Sequence, residues 1–263
     1  MSVGYTWVQW SHHKRVYDGV MAAGAALYLA VFVVLSKYLW RGQSSISDEV
    51  LLIRATGSCA IVMLHVILCL GPLARLNARF LPLMYNRRHL GVMTFLIALV
   101  HAVVVLGYYH GFGVLNPLVS LLTTNTNYMS VSAFPFQVLG LGALLILFLL
   151  AATSHDFWLR NLSPSVWKSL HMLVYAAYAL LVGHVALGAL QTDRGLIGPM
   201  AMGVGVCVVG GLHLATGRRE SRRDRGSAVS REHGGEWISA GPAMSIPTDR
   251  ARVVCVPGGE RIA

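Results

Sequence analysis

Two histidines thirteen residues apart, His171 and His184, lie within the apolar stretch Trp167 to Leu187. On a single helix, at ~1.5 Å per residue, their rings stand roughly 20 Å apart, most of the way across a hydrocarbon core about 30 Å thick. An imidazole at such depth has one donor and one acceptor nitrogen to satisfy, and an ionisable side chain inside a membrane marks a functional site by default. The chemistry that most often uses it is axial ligation of haem iron, with one imidazole from either side. A second apolar stretch, Gly91 to Tyr109, offers a partner: His101 lies thirteen residues beyond Arg88, and His184 lies sixteen beyond Lys168. If both helices run the same way, the two rings reach depths within ~5 Å of each other and can sandwich one haem.

Three further histidines widen the choice. His89 stands one residue inside Arg88, and His171 stands three past Lys168, so a second haem between these two shallow positions is a geometrical option. The helical angle counts against a simple version of it. His89 and His101 are twelve residues apart, about 1200°, which leaves them ~120° off a common face. His171 and His184 differ by about 220° beyond whole turns, which requires haems on different sides of their helix or a local irregularity. His65, near the middle of another apolar stretch, reads as a third ligand, a quinone contact or a structural hydrogen-bonder. His155 reads as a solvated loop residue.

The elements that must position these rings are membrane helices. Of the 263 residues, 55% are hydrophobic and only 12% charged, a composition that excludes a soluble domain with a large core. Six windows approach or exceed the ~18-residue length of a spanning helix. They run Tyr17–Trp40, Val50–Leu73, His89–Tyr109, Phe134–Ala152, Val166–Leu187 and Leu196–Leu214. The first has no small-residue cleavage site and reads as a retained helix. Pro72 is expected to kink or end the second, and Ser163 with Pro164 reads as a helix start. The fold class expected is an all-α membrane protein, a six-helix transmembrane bundle spanning residues 1–216.

The net charge of +10 is unevenly placed. Lys14 and Arg15 precede the first window, Arg75, Arg79, Arg87 and Arg88 separate the second from the third, and Arg160 and Lys168 separate the fourth from the fifth. Arg218, Arg219, Arg222, Arg223 and Arg225 follow the sixth, whereas His110 to Ser132 holds no Lys or Arg. By the positive-inside rule both termini face the cytoplasm, the membrane is expected to be a bacterial inner membrane, and the third and fifth helices run outward together. The arginine run fits topology and lipid headgroups better than nucleic acid. Cys59, Cys69, Cys207 and Cys255 form no Cys-x-x-Cys pair, so neither a disulfide framework nor a zinc signature is present.

Residues 217–236 are polar, charged and Gly/Ser-containing, and are expected to form a basic disordered linker. From Trp237 the pattern changes: Ala251 to Val256 alternates apolar and polar, Pro257-Gly258-Gly259 turns, and Arg261 and Ile262 resume. That is a hairpin signature. The final segment, 237–263, is therefore expected to be a short β fragment of an incomplete soluble domain, since a lone hairpin is not stable by itself.

The membrane part resembles the ferric reductase-like transmembrane family, which includes the haem-binding membrane subunit of bacterial periplasmic methionine sulfoxide reductase and, more distantly, the NADPH oxidases. The resemblance rests on RRHLGVMTFLIALVHA, with His101 ten residues after Gly91, and on WKSLHMLVYAAYALLVGH, with its paired His171 and His184, and it covers roughly Gly57 to Leu187. It implies that His101 and His184 ligate an outer haem b and that His171 is one ligand of an inner one. Members with two haems carry a histidine fourteen residues before the one at His101, where this chain has Arg87; either His89 substitutes, or the inner site is empty or bound differently. The tail from Trp237 resembles the opening strands of a Rieske-type [2Fe–2S] domain. The Cys-x-His and Cys-x-x-His ligand pairs of such a domain do not occur here, so a [2Fe–2S] cluster belongs only to a longer form.

The function expected is transmembrane electron transfer through b-type haem, one or two per chain, held between the third and fifth helices. The chain would act as a membrane component of an oxidoreductase system and not as a self-sufficient enzyme. No flavin or nicotinamide fingerprint follows the bundle. The partners implied are membrane lipid and a cytoplasmic or membrane redox partner, a quinone among the candidates. Two alternatives stand beside it: a haem-free membrane scaffold whose histidines bond neighbouring helices, and a proton-coupled transporter. The second is disfavoured by the lack of acidic residues inside the helices after Asp18 and of an inverted repeat.

Overall fold

The computed structural model describes residues 12–39, 46–124, 126–131, 134–192, 195–232, 254–255 and 261–262. Apolar runs broken by Pro, Gly and capping residues become helices in the expected order. They are α1 (His12–Leu39), α2 (Asp48–Leu76), the short α3 (Leu81–Met84), α4 (Arg87–Val105), α5 (Pro117–Thr123), α6 (Phe136–Ala152), α7 (Asp156–Asn161), α8 (Pro164–His171), α9 (Leu173–Leu187), α10 (Ala189–Thr192) and α11 (Ile197–Glu232). Among the described residues, five stretches are long and apolar enough to cross a membrane: His12–Tyr38, Asp48–Leu76, Arg87–His110, Pro164–Gln191 and Ile197–Arg222. The apolar helix α6 is shorter, at 17 residues.

Local chemistry sets the ends. Ser47 caps α2 by accepting from the Val50 N–H at 3.4 Å, with Asp48 and Glu49 in the first turn where the helix dipole favours anions. Ser163 caps α8 in the same way for Val166, with Pro164 in the first turn. His155, exposed, caps α7 by accepting from the Phe157 N–H at 3.2 Å. Two expectations are corrected. α2 does not end at Pro72 but runs on to Leu76, where the Asn77 N–H donates to Leu73 O at 2.9 Å; a proline removes one ladder donor without forcing termination when neighbours cover the turn. Residues 217–232, expected to be disordered, continue α11 to Glu232. Arginine, glutamate and alanine there are strong helix formers, and a helix already nucleated in the membrane segment propagates at little cost. Residues 233–236, Trp237 and the Pro257–Gly259 turn lie outside the described residues.

The chain divides into two compact units, Met1–Leu214 and Ala215–Ala263. In the second, Val254 and Cys255 pair antiparallel with Ile262 and Arg261, a two-residue ladder. In the first, α2 packs against α1 and α4, and α6 packs against both α4 and α9. One apolar cluster, Cys59, Met63, Leu70, Leu90 and Ile97, joins α2 to α4 with Met21, Ala25 and Tyr28 of α1 against it. A second, Leu64, Leu68 and Val209, joins α2 to α11 and takes in Val174, Tyr178 and Leu181 of α9. α2, α4, α6 and α9 are thus joined in succession, α2 on α4, α4 on α6 and α6 on α9, with α9 side chains returning against α2.

Candidate histidine pair in the membrane bundle

His101 of α4 directs Nδ1 at the main-chain carbonyl of Ile53 in α2, at 3.0 Å. His184 of α9 directs Nδ1 at the carbonyl of Phe136 in α6, at 2.8 Å. Both carbonyls belong to helices, where each already accepts from the N–H four residues on; a side chain from another helix reaches one only if that later residue leaves room. In both cases it is a glycine. A Cβ on Gly57, four after Ile53, would stand 2.9 Å from His101 Cε1 and 3.0 Å from Nδ1. One on Gly140, four after Phe136, would stand 2.7 Å from His184 Nδ1 and 2.8 Å from Cε1. The same device, a carbonyl and a glycine one turn apart, therefore seats each imidazole on a different neighbouring helix.

The consequence is chemical. A carbonyl only accepts, so each Nδ1 carries the proton and each Nε2 presents its lone pair. Histidines that ligate metal are oriented in this way, the second nitrogen donating to a carbonyl or carboxylate. The Phe136 ring lies 5.6 Å from that of His184 and tilted 45°, adding a wall. Ile53 sits near the start of α2 and Phe136 opens α6, while His101 and His184 come near the ends of α4 and α9. Both rings therefore occupy the same end of the bundle.

At the opposite end His171 hydrogen-bonds its own helix, Nδ1 to Trp167 O at 3.0 Å, and stacks on the Trp167 ring at 3.9 Å. Its Nε2 is buried and meets no hydrogen-bonding atom. A buried orphan nitrogen is costly. Arg87 and Arg88 are within electrostatic range of it. Of the two ways to accommodate the 13-residue spacing, a local irregularity is present: α8 ends at His171 and α9 begins at Leu173, with Met172 in a turn whose N–H donates to both Lys168 O and Ser169 O.

The other two candidates are engaged elsewhere. His89 pairs with Asp18 of α1, Nδ1 lying 2.8 and 2.9 Å from the two carboxylate oxygens, and Asn86 donates to the same carboxylate at 3.2 Å. The structure thus turns His89 toward α1 and His101 toward α2, as their ~120° offset requires. His65 uses both nitrogens, Nδ1 on Ile61 O at 2.7 Å and Nε2 on the Tyr178 hydroxyl at 3.1 Å. Of its three readings the hydrogen-bonding one matches this geometry. Gly57, Gly140 and Asp18 were not among the candidates. Glycine spacing in apolar helices carries no label for what fills the gap, and Gly91, prominent in the motif, would meet nothing within 4 Å if it gained a Cβ.

The donor set is of the kind an iron porphyrin takes: two imidazoles, one on α4 and one on α9, each held through Nδ1 by a neighbouring helix, and a third with a buried open nitrogen. Comparison with known proteins points the same way. Residues 56–182 match the family described as ferric reductase like transmembrane component. The chain is 30% identical over 161 residues to the protein-methionine-sulfoxide reductase heme-binding subunit MsrQ of Bordetella pertussis, covering 60% of this chain and 72% of that one. It is 27% identical over 164 residues to the Caulobacter vibrioides MsrQ, covering 61% and 73%, and 32% identical over 131 residues to that of Herminiimonas arsenicoxydans, covering 50% and 55%.

Proposed function

The chain belongs to the ferric reductase-like transmembrane family and is a membrane electron-transfer component of an oxidoreductase system; from that premise we propose that His101 and His184 hold one b-type haem between α4 and α9. The observation that carries the proposal is the doubled carbonyl–glycine seat, which fixes the proton on Nδ1 of both rings and leaves each Nε2 with its lone pair. Bound haem supplies a one-electron couple. The chain's own part is to fix ligand identity and tautomer, to tune ligand basicity through the two carbonyl bonds, and to keep water from the iron with apolar helices. The heme-binding role printed for the relatives supports this reading.

A second haem at His171 is supported by the buried open Nε2 and by Arg87 and Arg88, whose guanidinium groups suit porphyrin carboxylates. Two groups at opposite ends of the bundle make a path across the membrane. Six spans with both termini cytoplasmic, in a bacterial inner membrane, follow from the arginine distribution, α6 being the shortest span. The relatives' description as a subunit supports a redox partner protein. A quinone is the lipid-soluble partner supported by an apolar groove of about 600 Å³ lined by Tyr17, Met21, Gly24, Tyr28, Met63 and Leu90. The tail reading as opening strands of a Rieske-type domain rests on Trp237, Ile246-Pro247 and Gly258 to Ala263 alone.

A reduced-minus-oxidised absorption spectrum of the purified chain tests the proposal. It predicts a sharp b-type α-band; a preparation expressed with ample haem that shows none refutes it.

A further inference from the structure

The bundle contains a second pair of matched contacts, also on α9. The Tyr178 hydroxyl donates to His65 Nε2 of α2 at 3.1 Å, with the rings edge to face at 5.3 Å and 87°. The Tyr175 hydroxyl donates to His213 Nε2 of α11 at 3.0 Å, with the rings at 5.5 Å and 87°. Each histidine spends Nδ1 on the carbonyl four residues back in its own helix, Ile61 and Val209 respectively. That bond sets the tautomer, so Nε2 must accept and the tyrosine must donate. The His65 ring cannot swing away, because a Cβ on Gly205 of α11 would stand only 2.4 Å from its Nε2; the α11 backbone covers the ring.

These struts bear on the haem ligands because α9 is interrupted at both ends. It is bounded by the turn at Met172 and by Gly188, and is 15 residues long. Tyr178 lies seven residues after His171 and six before His184, near the middle of that segment. Side-chain tips lie about 5–6 Å from a helix axis, so a rotation of roughly 20° moves a ligating nitrogen by about 2 Å. Apolar packing in lipid resists such rotation weakly, whereas two hydroxyl–imidazole bonds to two different helices oppose it directly.

We propose that Tyr178 and Tyr175 are positioning residues: through His65 and His213 they fix the rotation of α9 and thereby the direction in which His184 presents Nε2. The inference rests on His184 being a haem ligand. It is tested on the full chain in detergent, comparing wild type, Tyr178→Phe, Tyr175→Phe and the double variant, with Tyr38→Phe on α1 as a control for loss of an exposed hydroxyl. The readouts are the low-spin ferric EPR signal, which senses the orientation of the axial imidazoles, and the rate of haem transfer to apomyoglobin. The double variant is expected to shift or broaden the EPR signal and to lose haem roughly three- to tenfold faster, the effect of about one net hydrogen bond. His65→Leu should reproduce the Tyr178→Phe change, and His65→Gln, which keeps an acceptor, should largely restore the wild-type signal. A double variant with wild-type EPR and wild-type haem loss overturns this inference while leaving the haem assignment intact. A wild type without haem overturns both.

Discussion

Gly140→Ala is the smallest change that probes the seat of a ligand. The added Cβ would lie 2.7 Å from His184 Nδ1, 2.8 Å from Cε1 and 3.2 Å from Cγ, inside the distance at which real Cβ atoms pack. The clash is with the near edge of the ring, not with a flexible tip, so the imidazole must retreat by about 0.7 Å or more to reach ordinary contact near 3.5 Å. That retreat stretches the 2.8 Å bond to Phe136 O beyond hydrogen-bonding range. A net hydrogen bond is worth about 0.5–1.5 kcal/mol and an unpaired buried N–H costs about 1–3. Loss of a partner that orients a metal ligand typically lowers affinity about 10- to 100-fold. Haem per chain, measured as the pyridine haemochrome after purification at limiting haem, should therefore fall well below wild type. Gly203→Ala is the matched control, since its Cβ would meet nothing within 4 Å. A Gly140→Ala protein with full haem and an unaltered α-band would refute the argument that the glycine gap seats the ligand.

Gly57→Ala should behave alike through His101, whereas Gly91→Ala should leave the spectrum unchanged; the same haemochrome assay checks both. His65→Ala should still bind haem and show the α-band, with the same faster haem loss as Tyr178→Phe, because neither His65 nitrogen is free to ligate; a variant that binds no haem would contradict the structure. His171→Ala should lower iron per chain from two to one while sparing the signal that depends on His101 and His184; an unchanged iron content would remove the second haem. Asp18→Asn should weaken the contact between α1 and α4. It should lower the thermal midpoint by a few degrees at neutral pH without loss of haem, as followed by the α-band during a melt; a variant that loses haem before it unfolds would contradict this.

How far the residues spoke for themselves can be followed ring by ring. The helices were legible because a spanning segment must be apolar along its length, and the arginines marked their ends. His101 and His184 were legible because an imidazole so deep is rare, and the 12-residue offset already separated the faces of His89 and His101. That the His171–His184 spacing calls for either an irregularity or haems on different sides of the helix was also legible, though not that Met172 would supply the former. What was hidden depended on contacts between helices. That His89 meets Asp18, that Tyr178 occupies His65, and that Gly57 and Gly140 open the way to two carbonyls are facts of helix rotation, which uniformly apolar sequences leave nearly unspecified. α6 shows this most plainly: it carries no titratable group, yet its first carbonyl and a glycine one turn later hold a candidate ligand. The arginine-rich run after Leu214 was misjudged for a different reason, since charge alone does not forbid a helix that a membrane segment has already started.

The central claim is that His101 and His184 share one iron. Its most direct measurement is low-temperature EPR of the oxidised chain together with haem per chain in the wild type, His101→Ala and His184→Ala. The account predicts a bis-imidazole low-spin signal that disappears in both variants alike, each losing the same one haem per chain; a bis-imidazole signal and haem content left unchanged by either substitution would contradict it.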